Sequence, residues 1–182
     1  MNLSVCHNTV KEVERMALFR PFMMKNRITD LAPSELKSLG IKGLLLDVDN
    51  TLALHFDKQP LEGVEQWIAD MKGEGILLTI VSNAPEHRVK PFADSLGLSY
   101  RYTCLKPLPF KLRKAIKEIG LSRKEVFLCG DQLFTDMLCC HLSGVRGLLV
   151  TPVECEDKWH FKLRRFLEKP LIKGYKKGGK VK

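Results

Sequence analysis

GLLLDVDNTL, residues 43–52, sets an unbroken apolar run against two carboxylates spaced two residues apart. Bounded by Gly43 and Asn50, the segment 43–49 has the length and continuity of a strand buried on both faces. The same pattern repeats outward from it. ILLTIVS (76–82), LSYRYTC (98–104), EVFLCG (125–130) and VRGLLVT (145–151) are predicted strands. Helices are predicted between them: one opened by Pro60 with Val64, Trp67, Ile68 and Met71 on one face, then others near 85–95, 108–119 and 132–143. Ser122 and Glu125 form a capping box ahead of the fourth strand. Strands separated by single helices imply right-handed crossovers, hence an α/β fold with a five-stranded, Rossmann-like parallel sheet covered on both faces.

In such sheets ligands bind outside the carboxyl ends of the strands, where strand order reverses. The polar residues at those ends are Asp47, Asp49, Ser82, Lys106 and Asp131, with Asp136 five residues beyond the last. Side chains two apart on a strand point the same way, so Asp47 and Asp49 are expected to address one pocket. Two acids so placed repel each other unless a cation intervenes, and a hard cation such as Mg²⁺ suits oxygen ligands. The hydroxyl of Ser82 and the N–H groups beside it suit phosphate oxygens, while Lys106 can neutralise both carboxylate and phosphate.

DVDNTL, TIVSN, LKP and GDQLFTD together resemble, in order, the four motifs of the haloacid dehalogenase (HAD) superfamily. A response-regulator receiver domain also uses clustered acids, Ser/Thr and Lys-Pro, but Lys-Pro closes its set, whereas here an acid pair follows Lys106. LDVDNTL, VSNAPEHRV, KP and FLCGDQLFTDML followed by VTPV is similar to one branch, the YqeG-type subfamily IIIA phosphatases, related to mitochondrial phosphatidylglycerophosphatases. The resemblance covers residues 18–168 or so. It implies Asp47 as nucleophile, forming an aspartyl-phosphate, and Asp49 as general acid and then base. It implies Ser82, Asn83 and Lys106 as phosphate-binding groups. It also implies Mg²⁺ held by Asp47, the Asp49 carbonyl and Asp131, with Asp136 ligating through water or orienting its neighbours. An acid two residues after the nucleophile fits phosphate-ester cleavage, since a halide leaves without a proton.

The start of the resemblance and the charge and helical spacing of the tail divide the chain into an N-terminal extension (1–18), a HAD-like domain (19–157) and a basic amphipathic helix with a disordered tail (158–182). Thr9 and Glu12 suggest a capped helix in the extension, and the pattern beginning near Phe19 points to Met16 as a start. The segments 50–81 and 83–105 are too short for a large cap domain, so the site is expected to be open. An open site admits a lipid headgroup or a polynucleotide end.

The net charge of +9 resides in the tail: residues 158–182 hold ten Lys/Arg and one acid, Glu168, while the remainder balances at 20 of each sign. No basic stripe marks the body, which disfavours nucleic acid. Trp159, Leu163, Phe166 and Leu167 share one helical face, expected to pack on the domain, and the lysines offer peripheral contact with an anionic membrane. Six cysteines without metal spacing read as free thiols of a reducing compartment, and no apolar stretch spans a bilayer, so the cytoplasm is expected. His55 is expected to be solvated on a flap, and Arg88 is placed to meet substrate charge or to be a plain surface arginine. The functions in contention are a phosphatase of phosphatidylglycerophosphate, a phosphatase of nucleic-acid ends or soluble phosphometabolites, and a non-catalytic binder of anionic surfaces.

Overall fold

The computed structural model describes residues 18–55, 57–153 and 159–177. Its elements run β1 (Met23–Lys25), α1 (Pro33–Ser38), β2 (Gly43–Leu46), α2 (Val64–Gly73), β3 (Leu77–Val81), α3 (Glu86–Ser95), β4 (Ser99–Arg101), α4 (Phe110–Glu118), β5 (Val126–Gly130), α5 (Leu138–Ser143), β6 (Arg146–Val150) and α6 (Trp159–Lys177). The strands form one parallel sheet in the order β1-β6-β5-β2-β3-β4. The α/β, doubly covered architecture is as read from the sequence, with six strands among the described residues instead of five. The added strand, β1, pairs Met23 with Leu148. Three residues at a sheet edge are too few to show a strand period, which is why the segment escaped notice.

Chain order reverses between β2 and β5. From β2 the chain builds outward through β3 and β4, then returns to lay β5, β6 and β1 on the other side. The carboxyl ends of β2 and β5 therefore flank the crevice that such sheets use for ligands.

Alternate strand residues enter opposite cores. Leu44, Leu46, Ile80 and Phe127 meet Trp67, Ile68, Met71 and Phe92 of α2 and α3 on one face. Leu45, Val81 and Leu128 meet Leu112, Ile116, Met137 and Cys140 on the other. Removing the 0 %-exposed Phe127 side chain would cost about 3–5 kcal/mol on the usual scale of emptied core sites.

Several local expectations are corrected. Pro60 does not open α2; it bridges to Ala53, and Gly63 (φ 83°) starts the helix three residues later. β4 stops at Arg101, because the chain leaves the edge to carry Lys106 inward. The region 132–143 is not one helix but a π turn, Leu133–Met137, followed by α5. Such wide turns recur at functional sites. The Ser122–Glu125 capping box is present: Ser122 N donates to Glu125 Oε2 at 2.9 Å.

The largest correction concerns the C-terminus. α6 continues through Pro170 to Lys177, although proline lacks the N–H that would bond the carbonyl of Phe166. Tyr175 is buried, and Leu171 and Ile172 pack on the core, anchoring the helix beyond the proline. The face expected to pack is the one left out: Trp159 is 74 % exposed, Phe166 70 %, and Leu163 and Leu167 50 % each. The opposite face docks instead, with Glu168 fully buried. Residues 178–182 and the N-terminal helix expected from Thr9 lie outside the described residues.

Cys104, Cys129, Cys139 and Cys140 are free and buried, as expected; Cys6 and Cys155 lie outside the described residues. Burial pushes the Cys139 thiol up to about 11 and raises the other three as well. The thiolate is the reactive form, so none of these four should react with Ellman's reagent at pH 8 until denaturant is added. Prompt modification of any of them in the native protein, located by mass spectrometry, would contradict this packing.

Candidate active site

Asp47 stands one residue beyond β2 and Asp131 one residue beyond β5. These strands are hydrogen-bonded neighbours, and Asp47 N continues the ladder by donating to Cys129 O at 2.9 Å. Two adjacent strand ends thus put both carboxylates at one edge. The π turn brings Asp136 back beneath them, where its Oδ2 accepts from Gln132 N at 3.2 Å. One oxygen from each of Asp47, Asp131 and Asp136 lies within 4.8 Å of the others, and all three residues are buried.

Lys106 enters this group from the β4 side. Its Nζ lies 2.9 Å from Asp47 Oδ1 and 2.7 Å from Asp136 Oδ1. Burial alone would lower the Lys106 ammonium, but Asp136 and Asp47 outweigh it and the net shift is upward. For Asp47, burial raises the carboxyl and Lys106 pulls against it, with a net upward shift. Asp131 is also raised by burial, against the opposing charge of Arg165.

The backbone leading to Lys106 is strained: Thr103 (φ 46°) and Leu105 (φ 57°) are left-handed, a region costly for a leucine. Asn83 holds that path. Its Oδ1 accepts from Lys106 N at 2.7 Å and its Nδ2 donates to Lys106 O at 3.0 Å. The Asn83 side chain is therefore committed to the lysine loop, leaving backbone groups there for an anion. Ser82 is buried, and its Oγ accepts from Ala84 N at 3.1 Å, which leaves its own hydrogen to donate.

Asp49 stands apart from the three clustered acids. β2 ends at Leu46, and a turn follows in which Thr51, Leu52 and Ala53 all donate to Val48 O. The two-residue strand alternation no longer holds there, so the Asp49 carboxylate is not among the clustered ones. It pairs with Arg88 and lies 3.4 Å from His55 Nδ1. His55 is not solvated, as its position had suggested; its side chain is 17 % exposed against Asp49.

Sequence reasoning did not identify Arg165 and Glu168 of α6. Arg165 pairs with Asp131 Oδ2 and donates to the Asp131 carbonyl at 2.7 Å. Glu168 Oε1 accepts from Leu133 N at 2.8 Å and Phe134 N at 3.2 Å. A signal was present: Glu168 is the lone acid among ten bases in 158–182.

The donor set fits a divalent ion. Three buried carboxylates face Lys106 and Arg165, and Asp131 Oδ1 is buried without a hydrogen-bond partner among the described residues. A buried carboxylate oxygen left bare is costly, and an all-oxygen set of this kind suits a hard cation.

The haloacid dehalogenase-like hydrolase family matches residues 10–140. A Bacillus subtilis protein named "Probable phosphatase YqeG" is 32 % identical over 163 residues, covering 90 % of this chain and 95 % of its own. The mitochondrial phosphatidylglycerophosphatase of Saccharomyces cerevisiae is 30 % identical over 166 residues, covering 82 % of this chain and 87 % of its own. A Listeria monocytogenes structure shares the fold with a TM-score of 0.54 at 11 % identity, covering 73 % of this chain and 99 % of that one. A Streptomyces avermitilis structure assigned to the HAD family does so at 0.50 and 20 % identity, covering 62 % and 76 %.

Proposed function

The chain belongs to the haloacid dehalogenase-like hydrolases and is a phosphatase of that family; from this we propose Mg²⁺-dependent hydrolysis of phosphatidylglycerophosphate through an aspartyl-phosphate on Asp47. The observation that carries the chemistry is the setting of Asp47: buried at the reversal of strand order, paired to Lys106 and within ligand reach of Asp131 and Asp136. Asp47, Asp131 and Asp136 are the side chains that would hold Mg²⁺. The ion would neutralise phosphate charge as it develops.

Asp47 attacks phosphorus, forming the acyl-phosphate bond as the ester P–O bond breaks. Asp49 gives its proton to the departing alkoxide and then takes one from the water that attacks the acyl-phosphate, releasing inorganic phosphate. Arg88 and His55, both against Asp49, hold that carboxyl in place. Lys106 and Ser82 bind phosphate oxygens, and Asn83 keeps Lys106 in place.

The lipid substrate is supported by the activity named for the yeast relative and by α6. Its outward face presents Trp159, Leu163, Phe166 and Leu167, flanked by Lys162, Lys169 and Lys173. Apolar side chains beside lysines on one helix suit the interface of an anionic bilayer, each nearby lysine adding about 1 kcal/mol. No helix among the described residues is long and apolar enough to cross a membrane.

The test is turnover with Mg²⁺ of phosphatidylglycerophosphate in anionic vesicles, against nucleotides and sugar phosphates, with and without EDTA. A higher kcat/KM on a soluble ester would replace the lipid reading, and EDTA-resistant turnover would remove the metal. The double variant Trp159→Ala/Phe166→Ala should lose vesicle sedimentation and lipid turnover by about tenfold or more, since burying one large apolar side chain is worth about 1.5–3 kcal/mol. Unchanged vesicle binding would exclude α6 as the docking element.

A further inference from the structure

The inner face of α6 reaches the loop that carries Asp131 and Asp136. Arg165 grips Asp131 twice, through the side-chain Oδ2 and the backbone carbonyl, and its Nη1 lies 3.2 Å from Glu168 Oε2. Glu168 turns its other oxygen to Leu133 N and Phe134 N. Those N–H groups open the π turn, and the N-cap residue, Gln132, makes no side-chain cap bond. Helical turns leave their first N–H groups without internal partners, so Glu168 supplies from a different helix the cap that the turn lacks. Gln132 is itself tied to Arg164. A fully buried carboxylate and a largely buried guanidinium in an otherwise basic segment are expensive unless every bond is made, and here they are spent on one loop.

We propose that Arg165 and Glu168 are positioning residues for the metal site: Arg165 occupies Asp131 Oδ2 so that only Oδ1 faces the ion, and Glu168 fixes the turn that carries Asp136. The inference rests on the reading of Asp47, Asp131 and Asp136 as metal ligands. It makes α6 part of the catalytic machinery at its inner face, whatever its outer face binds. Partners that hold the ligands of a metal typically set its affinity by 10- to 100-fold.

The experiment is calorimetric titration of Mg²⁺ into the full chain without substrate. Arg165→Gln should weaken Mg²⁺ binding by about 10- to 100-fold. Arg165→Lys should recover only part of it, since one ammonium cannot reproduce the two-pronged grip on Oδ2 and the carbonyl. Glu168→Gln, which keeps an acceptor for the two N–H groups, should bind better than Glu168→Leu, which keeps none. The Mg²⁺-induced rise in unfolding temperature should follow the same ranking, and Arg165→Gln keeps the test open if Glu168→Leu does not fold. Affinity equal to wild type in Arg165→Gln would overturn the proposal. Tighter binding would overturn it too, by making Arg165 a competitor of the ion. Absence of Mg²⁺ binding in the wild-type protein would instead strike the metal reading itself.

Discussion

Asp47→Asn is expected to reduce turnover on the order of 10⁴-fold or more, the scale seen when a covalent nucleophile is deleted. An amide of the same shape fills the same buried space but cannot form the acyl-phosphate. The fold should not suffer. Lys106 keeps its 2.7 Å contact with Asp136, and one of three mutually repelling carboxylates is gone. In EDTA the unfolding temperature should therefore be no lower than that of the parent. Phosphate release from phosphatidylglycerophosphate and from a small soluble ester, measured beside thermal unfolding, checks both halves. Residual activity within tenfold of wild type would remove Asp47 from the nucleophile role. A collapse in stability would mean that the inactivity says nothing about chemistry.

Gly130→Ala should also be damaging, for a steric reason. A Cβ at Gly130 would lie 2.3 Å from Asp136 Cγ and 2.4 Å from its Oδ2. That carboxylate is fully buried and tied to Lys106 and Gln132 N, so it has no free direction in which to retreat. Overpacking of this kind costs about 1–3 kcal/mol. Displacement of a site group by about an ångström costs on the order of 10²-fold in rate. Gly130→Ala is thus expected to lower the unfolding midpoint in urea and to raise the Mg²⁺ requirement together. A stable, fully active variant would show that Asp136 is free to move.

The glycine before Asp131 illustrates what the chain disclosed and what it withheld. That an acid follows a buried strand is legible in VFLCGD, because apolar runs of five or six residues bounded by turn signals mark strands. The same logic located Asp47, Ser82 and Lys106, and the structure brings their backbone segments to one end of the sheet. That the glycine is required by the side chain of Asp136 is a tertiary fact with no local trace. Asn83 is similar: its spacing from Lys106 has no period, and only the fold sets its amide against the Lys106 peptide.

α6 failed differently. Its Trp/Leu/Phe stripe and its Leu/Ile/Tyr stripe both satisfy helical spacing, so apolar pattern alone could not choose the inner face. The choice was made by Arg165 and Glu168, whose bonds to a buried loop need that loop to exist first. The placing of the Asp49 carboxylate, which pairs with Arg88 and does not join the clustered acids, was misjudged for the converse reason. A strand period was extended two residues past the point where the chain turns.

The pairing of β1 with β6 has a consequence for how the protein is made. Met23 leaves the ribosome well before Leu148, the residue it lies beside in the finished sheet. At synthesis rates of about 5–20 residues per second, β1 waits on the order of 6–25 s for its partner. During that interval the nascent chain carries a short apolar segment with nowhere to pair, while β2, β3 and β4 already have one another. Of the described strands, β1 is thus translated first yet is among the last to find its place.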